Sequence, residues 1–307
     1  MRKFVVLAAF AAMTVSWTLV SKSAAQNPPP PLPKQAKLYN TAKQKLLEGK
    51  QVFSFTQSKA DPADYCERAK HYDFTWFEMQ HSTLEFRDVE AMIAACPKVA
   101  ATPMIRLPDA QEWRIQHSTD IGALGVIIPT VDDVDRAREG AKWARFPPVG
   151  RRSSGQGQAP QLWGNTYRQT INDNMLVVIM IETPTGVANA YDIASVPGVD
   201  VVIIGNNDLA SFSGYAQSSP EYQAMVTKIH DDTLRAGKIF GQANAMYATG
   251  HPLSKDAKFF QNGPSNDGWT PPGRGGARGA VNPNAPPPGE EVTPPTPPQP
   301  APVKKSN

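Results

Sequence analysis

Two stretches of this chain are apolar without interruption over the length of a strand, Val177-Val178-Ile179-Met180-Ile181 and Val201-Val202-Ile203-Ile204. A strand with one wet face alternates apolar and polar residues. Unbroken, mostly β-branched runs therefore demand burial on both faces, as in a parallel sheet covered by helices. Further candidate strands are Gln51-Phe55, Phe74-Met79, Ala101-Ile105, Gly125-Ile128, Ile239-Ala243 and Lys258-Gln261, and the two runs extend to Met175-Ile181 and Val199-Ile204. Amphipathic stretches separate them. In Asp132-Trp143 the acidic residues come early and Lys142 late, the charge order that a helix dipole favours. About eight strands alternating with helices over about 225 residues predict a (β/α)8 TIM barrel. A doubly wound open sheet is the competing architecture, but no Gly-rich dinucleotide or phosphate loop supports it.

The ends have a different character. Arg2 and Lys3 precede the apolar run Phe4–Met13, and Ser23-Ala24-Ala25 offers small residues for cleavage, which together read as a signal peptide over residues 1–25. The run is too short for a membrane span, which needs about 20 apolar residues. Of the 30 prolines, five fall in Asn27–Lys34 and thirteen from Pro264 onward. The expected organisation is a signal (1–25), a Pro-rich linker and lead-in (26–47), the barrel (48–262) and a disordered Pro/Gly-rich tail (263–307). Cleavage removes three positive charges and brings the formal +3 to zero, so charge makes no case for nucleic acid, and no stable membrane span remains. Export places the chain in the periplasm or outside the cell. There Cys66 and Cys96 either form one disulfide or remain two isolated buried thiols.

In a barrel of this kind the chemistry gathers at the C-terminal ends of the strands. His81 follows the second strand, Arg106 ends the third, Glu182 ends the fifth, and Asp208 lies beyond the sixth in the turn Gly205-Asn206-Asn207-Asp208. Two carboxylates without a His or Cys cluster favour a hard divalent ion such as Mg²⁺ or Mn²⁺. Taken singly, each carboxylate also fits as a cap of the following helix, Arg106 as an internal salt-bridge partner and His81 as a helix N-cap neighbour; four such residues on one rim favour a site.

Five segments occur in order: Met104-Ile105-Arg106-Leu107-Pro108, Gly122-Ala123-Leu124-Gly125-Val126-Ile127-Ile128-Pro129, Arg145-Phe146-Pro147-Pro148-Val149-Gly150-Arg151-Arg152, Ile181-Glu182-Thr183 and Ile203-Ile204-Gly205-Asn206-Asn207-Asp208-Leu209. This series resembles the HpcH/HpaI aldolase family of the pyruvate/phosphoenolpyruvate barrel superfamily. The resemblance implies a class II aldolase that uses Mg²⁺, Mn²⁺ or Co²⁺ to cleave 4-hydroxy-2-oxo acids to pyruvate and an aldehyde through a metal-stabilised enolate. It implies Glu182 and Asp208 as metal ligands, Arg106 as enolate stabiliser and His81 as proton acceptor. The backbone N–H groups of Asn207 and Asp208 would receive the substrate carboxylate, and Asp120 would raise the basicity of His81. Asp120 ends a helix just before Gly122, however, which puts it at the far rim, within reach of His81 only from a neighbouring subunit or by an unexpected loop path.

The chain departs from the family pattern around the substrate. Glu78-Met79-Gln80 stands where Asp-Gly-Glu is common, Met180 where a glutamine is common, and Asn206-Asn207 for a Pro-Ala pair. Gly263-Pro264 replaces the last helix, which family members exchange in forming hexamers, so a homo-oligomer is implied without that means of assembly. Two other functions fit parts of this pattern: a CoA-ester lyase of the same superfamily, with Arg145, Arg151 and Arg152 as its basic patch, and an exported non-catalytic barrel that binds an oxo acid or metal.

Overall fold

The structure is a computed structural model and describes residues 38–243 and 250–271. The expected signal, most of the linker and most of the tail lie outside the described residues. Eight parallel strands close into a barrel in sequence order: β1 (Val52–Gln57), β2 (Phe74–Glu78), β3 (Thr102–Arg106), β4 (Gly125–Ile128), β5 (Leu176–Ile181), β6 (Val201–Ile204), β7 (Ile239–Ala243) and β8 (Phe259–Gln261). Closure through β8 and β1 excludes the open doubly wound sheet.

Helix α1 (Thr41–Leu47) precedes the barrel. Between the strands lie α2 (Pro62–Arg68), α3 (Phe86–Ala95), α4 (Glu112–Asp120), α5 (Val134–Ala144), α6 (Ala159–Trp163), α7 (Tyr167–Asn174), α8 (Pro184–Ala188), α9 (Ala190–Ala194), α10 (Asn206–Ser213) and α11 (Pro220–Arg235). Their starts follow local chemistry. Asp61 caps α2 through the Asp64 N–H, Asp133 caps α5 through the Arg136 N–H, and Ser219 caps α11 through the Tyr222 N–H.

Side-chain parity divides the apolar residues into two cores. Phe74, Trp76, Met104, Ile127, Val178, Met180, Val201, Ile203 and Phe259 fill the barrel interior, and Ala42 and Leu46 of α1 pack into the same cluster. The intervening strand residues, among them Phe77, Ile105, Val126, Ile179 and Val202, face the helices. The lead-in therefore contributes a helix to the interior core. Asn40 secures it: its side-chain amide donates to the Leu124 and Asn174 carbonyls, and its backbone N–H donates to the Asn174 side chain.

Cys66 of α2 and Cys96, which ends α3, are bonded, with their Cα atoms 5.7 Å apart. After β8, residues 262–271 form a strap without a helix. The Asn266 N–H donates to the His71 carbonyl, and Trp269 stacks on the His71 ring at 4.5 Å. Among the described residues no helix is long and apolar enough to cross a membrane.

Candidate active site

Interior parity places side chains from the ends of β2, β3 and β5 in the barrel mouth. Residues two apart on a strand share a face, so Glu78 follows Trp76, Arg106 follows Met104 and Glu182 follows Met180 into the interior. Glu78 and Arg106 are register partners on β2 and β3.

The Arg106 guanidinium is buried between two carboxylates, with Nη1 3.3 Å from Glu78 Oε2 and Nη2 3.9 Å from Glu182 Oε2. Nη2 also donates to Met180 Sδ at 3.5 Å, so a thioether borders the guanidinium. Arg106 Nε has no partner.

Glu78 joins the two candidate catalytic groups. Its Oε2 accepts from Trp76 Nε1 and Arg106, while its Oε1 accepts the backbone N–H groups of Gln80 and His81 at 2.9 and 3.1 Å. One buried carboxylate thereby fixes both the guanidinium and the loop carrying the exposed His81. Glu78 is not among the candidate residues that the sequence motifs pick out. The signal available was its interior parity with Trp76, which puts a carboxylate in a buried strand.

Glu182 is held from three directions. Its Oε1 accepts both the backbone N–H and the hydroxyl of Thr130, at 2.7 and 2.9 Å. Thr130 has φ +50°, a conformation that strains a β-branched residue and recurs at functional sites. Gly205 follows β6 directly, and a Cβ there would lie 2.0 Å from Glu182 Oε2, so only glycine leaves room for the carboxylate. Burial pushes the Glu182 carboxyl above the ordinary carboxylate range; Thr130 and Arg106 act against this, and the negative charge of Asp208 adds to it.

Asn206, Asn207 and Asp208 form the first turn of α10, where backbone N–H groups lack helical acceptors and attract anions. Tyr222 donates its hydroxyl to the Asn206 carbonyl and side-chain oxygens, and Gln217 donates to the Asn207 side chain. The structure thus gathers Glu78, Arg106 and Glu182 in the mouth and places the His81 loop and the α10 turn on the same rim.

Asp120 is elsewhere. It ends α4 on the side where β4 begins, and Arg152 donates to it at 2.6 Å. The Arg152 side chain is fully buried, also donates to the Tyr167 hydroxyl, and lies 4.4 Å over the Phe146 ring. Arg145 pairs with Asp200 at 2.7 Å. Two of the three arginines of the sequence-level basic patch are thus internal structural partners.

A divalent cation fits the donor set at Glu182. Glu182 Oε2 is buried without a hydrogen-bond partner, the side chain is held from behind by Thr130, and a second carboxylate acts on it electrostatically. Hard oxygen donors suit Mg²⁺, Mn²⁺ or Co²⁺. Among the described residues no cluster of three or more His, Cys, Asp or Glu is arranged around one point.

The fold and rim define a parallel (β/α)8 barrel with a buried guanidinium and two carboxylates in its mouth. The family model for HpcH/HpaI aldolase/citrate lyase matches residues 55–261, and the chain belongs to that family. It is 30% identical over 213 residues to the hydroxypyruvate/pyruvate aldolase of Roseovarius nubinhibens, covering 68% of this chain and 82% of the relative. It is also 30% identical over 183 residues to the 2-dehydro-3,6-dideoxy-6-sulfogluconate aldolase of Pseudomonas putida, covering 58% and 70%. Among solved structures, a family member from Burkholderia cenocepacia superposes with a TM-score of 0.66 at 24% identity, covering 73% of this chain and 92% of that one. The protein is a carbon–carbon lyase of the metal-dependent class II aldolase type.

Proposed function

We propose that this aldolase cleaves 4-hydroxy-2-oxo acids to pyruvate and an aldehyde, with Glu182 and Asp208 holding the cation. The observation that carries this reading is the unpartnered Glu182 Oε2, buried 3.9 Å from a guanidinium whose Nε is also unpartnered. A divalent cation bound there supplies Lewis acidity toward the 2-oxo acid.

The chain's own residues account for the rest. Arg106 presents a fixed positive charge to the C2 oxygen, where the electron pair of the breaking C3–C4 bond arrives. Glu78 holds that guanidinium in place, so little reorganisation accompanies the reaction. His81 takes the C4 hydroxyl proton as the aldehyde leaves, and protonation at C3 completes pyruvate. The N–H groups of Asn207 and Asp208 receive the substrate carboxylate.

In this reading Asp120 reaches His81 only from a second copy of the chain in a homo-oligomer. Residues 1–25 direct export to the periplasm or the exterior, and the Cys66–Cys96 bond supports an oxidising compartment.

The test is exchange of the pyruvate methyl protons with D₂O, followed by NMR, which isolates enolate formation from aldehyde specificity. Exchange that requires a divalent cation and falls at least about 100-fold in Arg106→Ala supports the assignment. Exchange equally fast in Glu182→Ala contradicts it.

A further inference from the structure

A cleft of about 460 Å³ lies on the face of the barrel opposite the mouth, between the chain leaving α5 and the chain entering β6. Small-molecule sites occupy about 300–1,000 Å³, so its size suits a ligand. Two glycines let its walls come together around Arg145. A Cβ on Gly150 would lie 2.3 Å from the Arg145 carbonyl oxygen, and Gly198 holds φ +94° while its carbonyl accepts from Arg145 Nη1 at 2.6 Å. The Arg151 N–H donates to the Lys142 carbonyl at 2.7 Å, which folds the loop bearing Arg151 back onto the last turn of α5.

The lining is cationic and apolar and holds no carboxylate. Three of its four cations are already committed: Arg138, Lys142 and Arg145 pair with Asp135, Glu139 and Asp200, at 2.8, 2.8 and 2.7 Å. Arg151 is exposed and has no ion pair among the described residues; its guanidinium lies 5.9 Å over the Trp143 ring. One positive charge is therefore uncommitted. The other side chains are those of Ala141, Val149, Val196 and Pro197, and Val149 is 62% exposed. No side chain of the lining accepts a hydrogen bond, so a metal ion, an amine or a polyol finds no side-chain partner there. A polyphosphate would have to break the existing ion pairs. One negative charge on an apolar body matches both parts of the lining at once.

We infer that this cleft binds a small organic monoanion, an aryl or branched-alkyl carboxylate, at a site separate from the reacting centre. The carboxylate meets Arg151 and the hydrocarbon covers Val149 and Val196. The inference goes beyond the aldolase reading and does not depend on it. Arg106 and Glu182 stand at the ends of β3 and β5, on the opposite rim, so the occupant of this cleft and a 2-oxo acid in the mouth do not compete.

The experiment is titration calorimetry of the full chain with 2-naphthoate as the probe, in the wild type, Arg151→Glu and Val149→Asp. Both positions are exposed, and thermal midpoints verify that both variants fold. The expected result is one 2-naphthoate per chain with a Kd below about 1 mM, weakened at least about tenfold in each variant. Acetate, which has the charge without the body, and 2-naphthalenemethanol, which has the body without the charge, are each expected to bind at least about tenfold more weakly than 2-naphthoate. No saturable binding up to about 10 mM overturns the site, as does an affinity unmoved in either variant. Equal binding of the uncharged alcohol overturns it as well. Displacement of the probe by pyruvate would place it in the mouth and overturn the separate site, while leaving the aldolase reading intact.

Discussion

Gly205 and Glu182 share one space across β5 and β6: a Cβ on Gly205 would lie 2.0 Å from Glu182 Oε2 and 2.7 Å from Glu182 Cβ. Because Thr130 pins the other carboxylate oxygen, Glu182 has no easy retreat. Gly205→Ala is expected to destabilise the fold by about 1–3 kcal/mol and to reduce activity far more than stability. Urea titration and pyruvate release on the same preparation separate the two effects.

Glu78 carries a heavier structural role than any other group in the mouth. Glu78→Ala leaves the Arg106 guanidinium without its closest counter-ion and two loop N–H groups without acceptors. The expected cost is about 3–5 kcal/mol, the range for breaking a buried pair from one side. Glu78→Gln retains hydrogen-bonding capacity and is expected to cost less stability while still lowering kcat. Denaturation midpoints that rank the two variants in the opposite order would contradict this role.

Glu182 makes the cation-free protein sensitive to pH in a definite direction. Burial raises its folded-state pKa above the unfolded value, so ionisation costs stability at pH above the folded pKa. That cost fades as pH falls from the folded pKa toward the unfolded value of about 4.3. In chelator-treated protein, Glu182→Gln is therefore expected to melt above the wild type at pH 8, with the gap narrowing on acidification. A gap that widens toward acid pH would contradict the assignment.

The Cys66–Cys96 bond closes a sequence separation of 30 residues. Loop-closure entropy gives about 3–4 kcal/mol for such a bridge, or roughly 10 °C in thermal midpoint for a barrel of this size. Calorimetry with and without reductant measures it, and a shift below about 2 °C would show that the reduced chain loses little.

Most of the barrel was legible because the strands are buried on both faces and leave short apolar runs. The β4 and β7 ranges agree with expectation, and the other strands differ by one or two residues at their ends. Arg106 and Glu182 were legible because they terminate such runs. Thr130 and Gly205 were not read as site residues, since what matters is one backbone conformation and one missing Cβ. Glu78 is hidden at the motif level, since its role follows from sharing the interior face with Trp76 and from its register with Arg106. The cysteine pairing was left open because helices α2 and α3 come together only in the closed barrel. Asp120 was placed correctly at the far rim, but its buried partner Arg152 is 32 residues away in sequence and left no local trace.

The most direct test is release of pyruvate from 4-hydroxy-2-oxo acids, followed by a coupled assay on the protein stripped by chelator and then reloaded with Mg²⁺, Mn²⁺ or Co²⁺. The account predicts no turnover when stripped, recovery on reloading, and loss of at least about 100-fold in Arg106→Ala. Turnover that survives chelation undiminished, or recovery equal to wild type in Glu182→Ala, would contradict it.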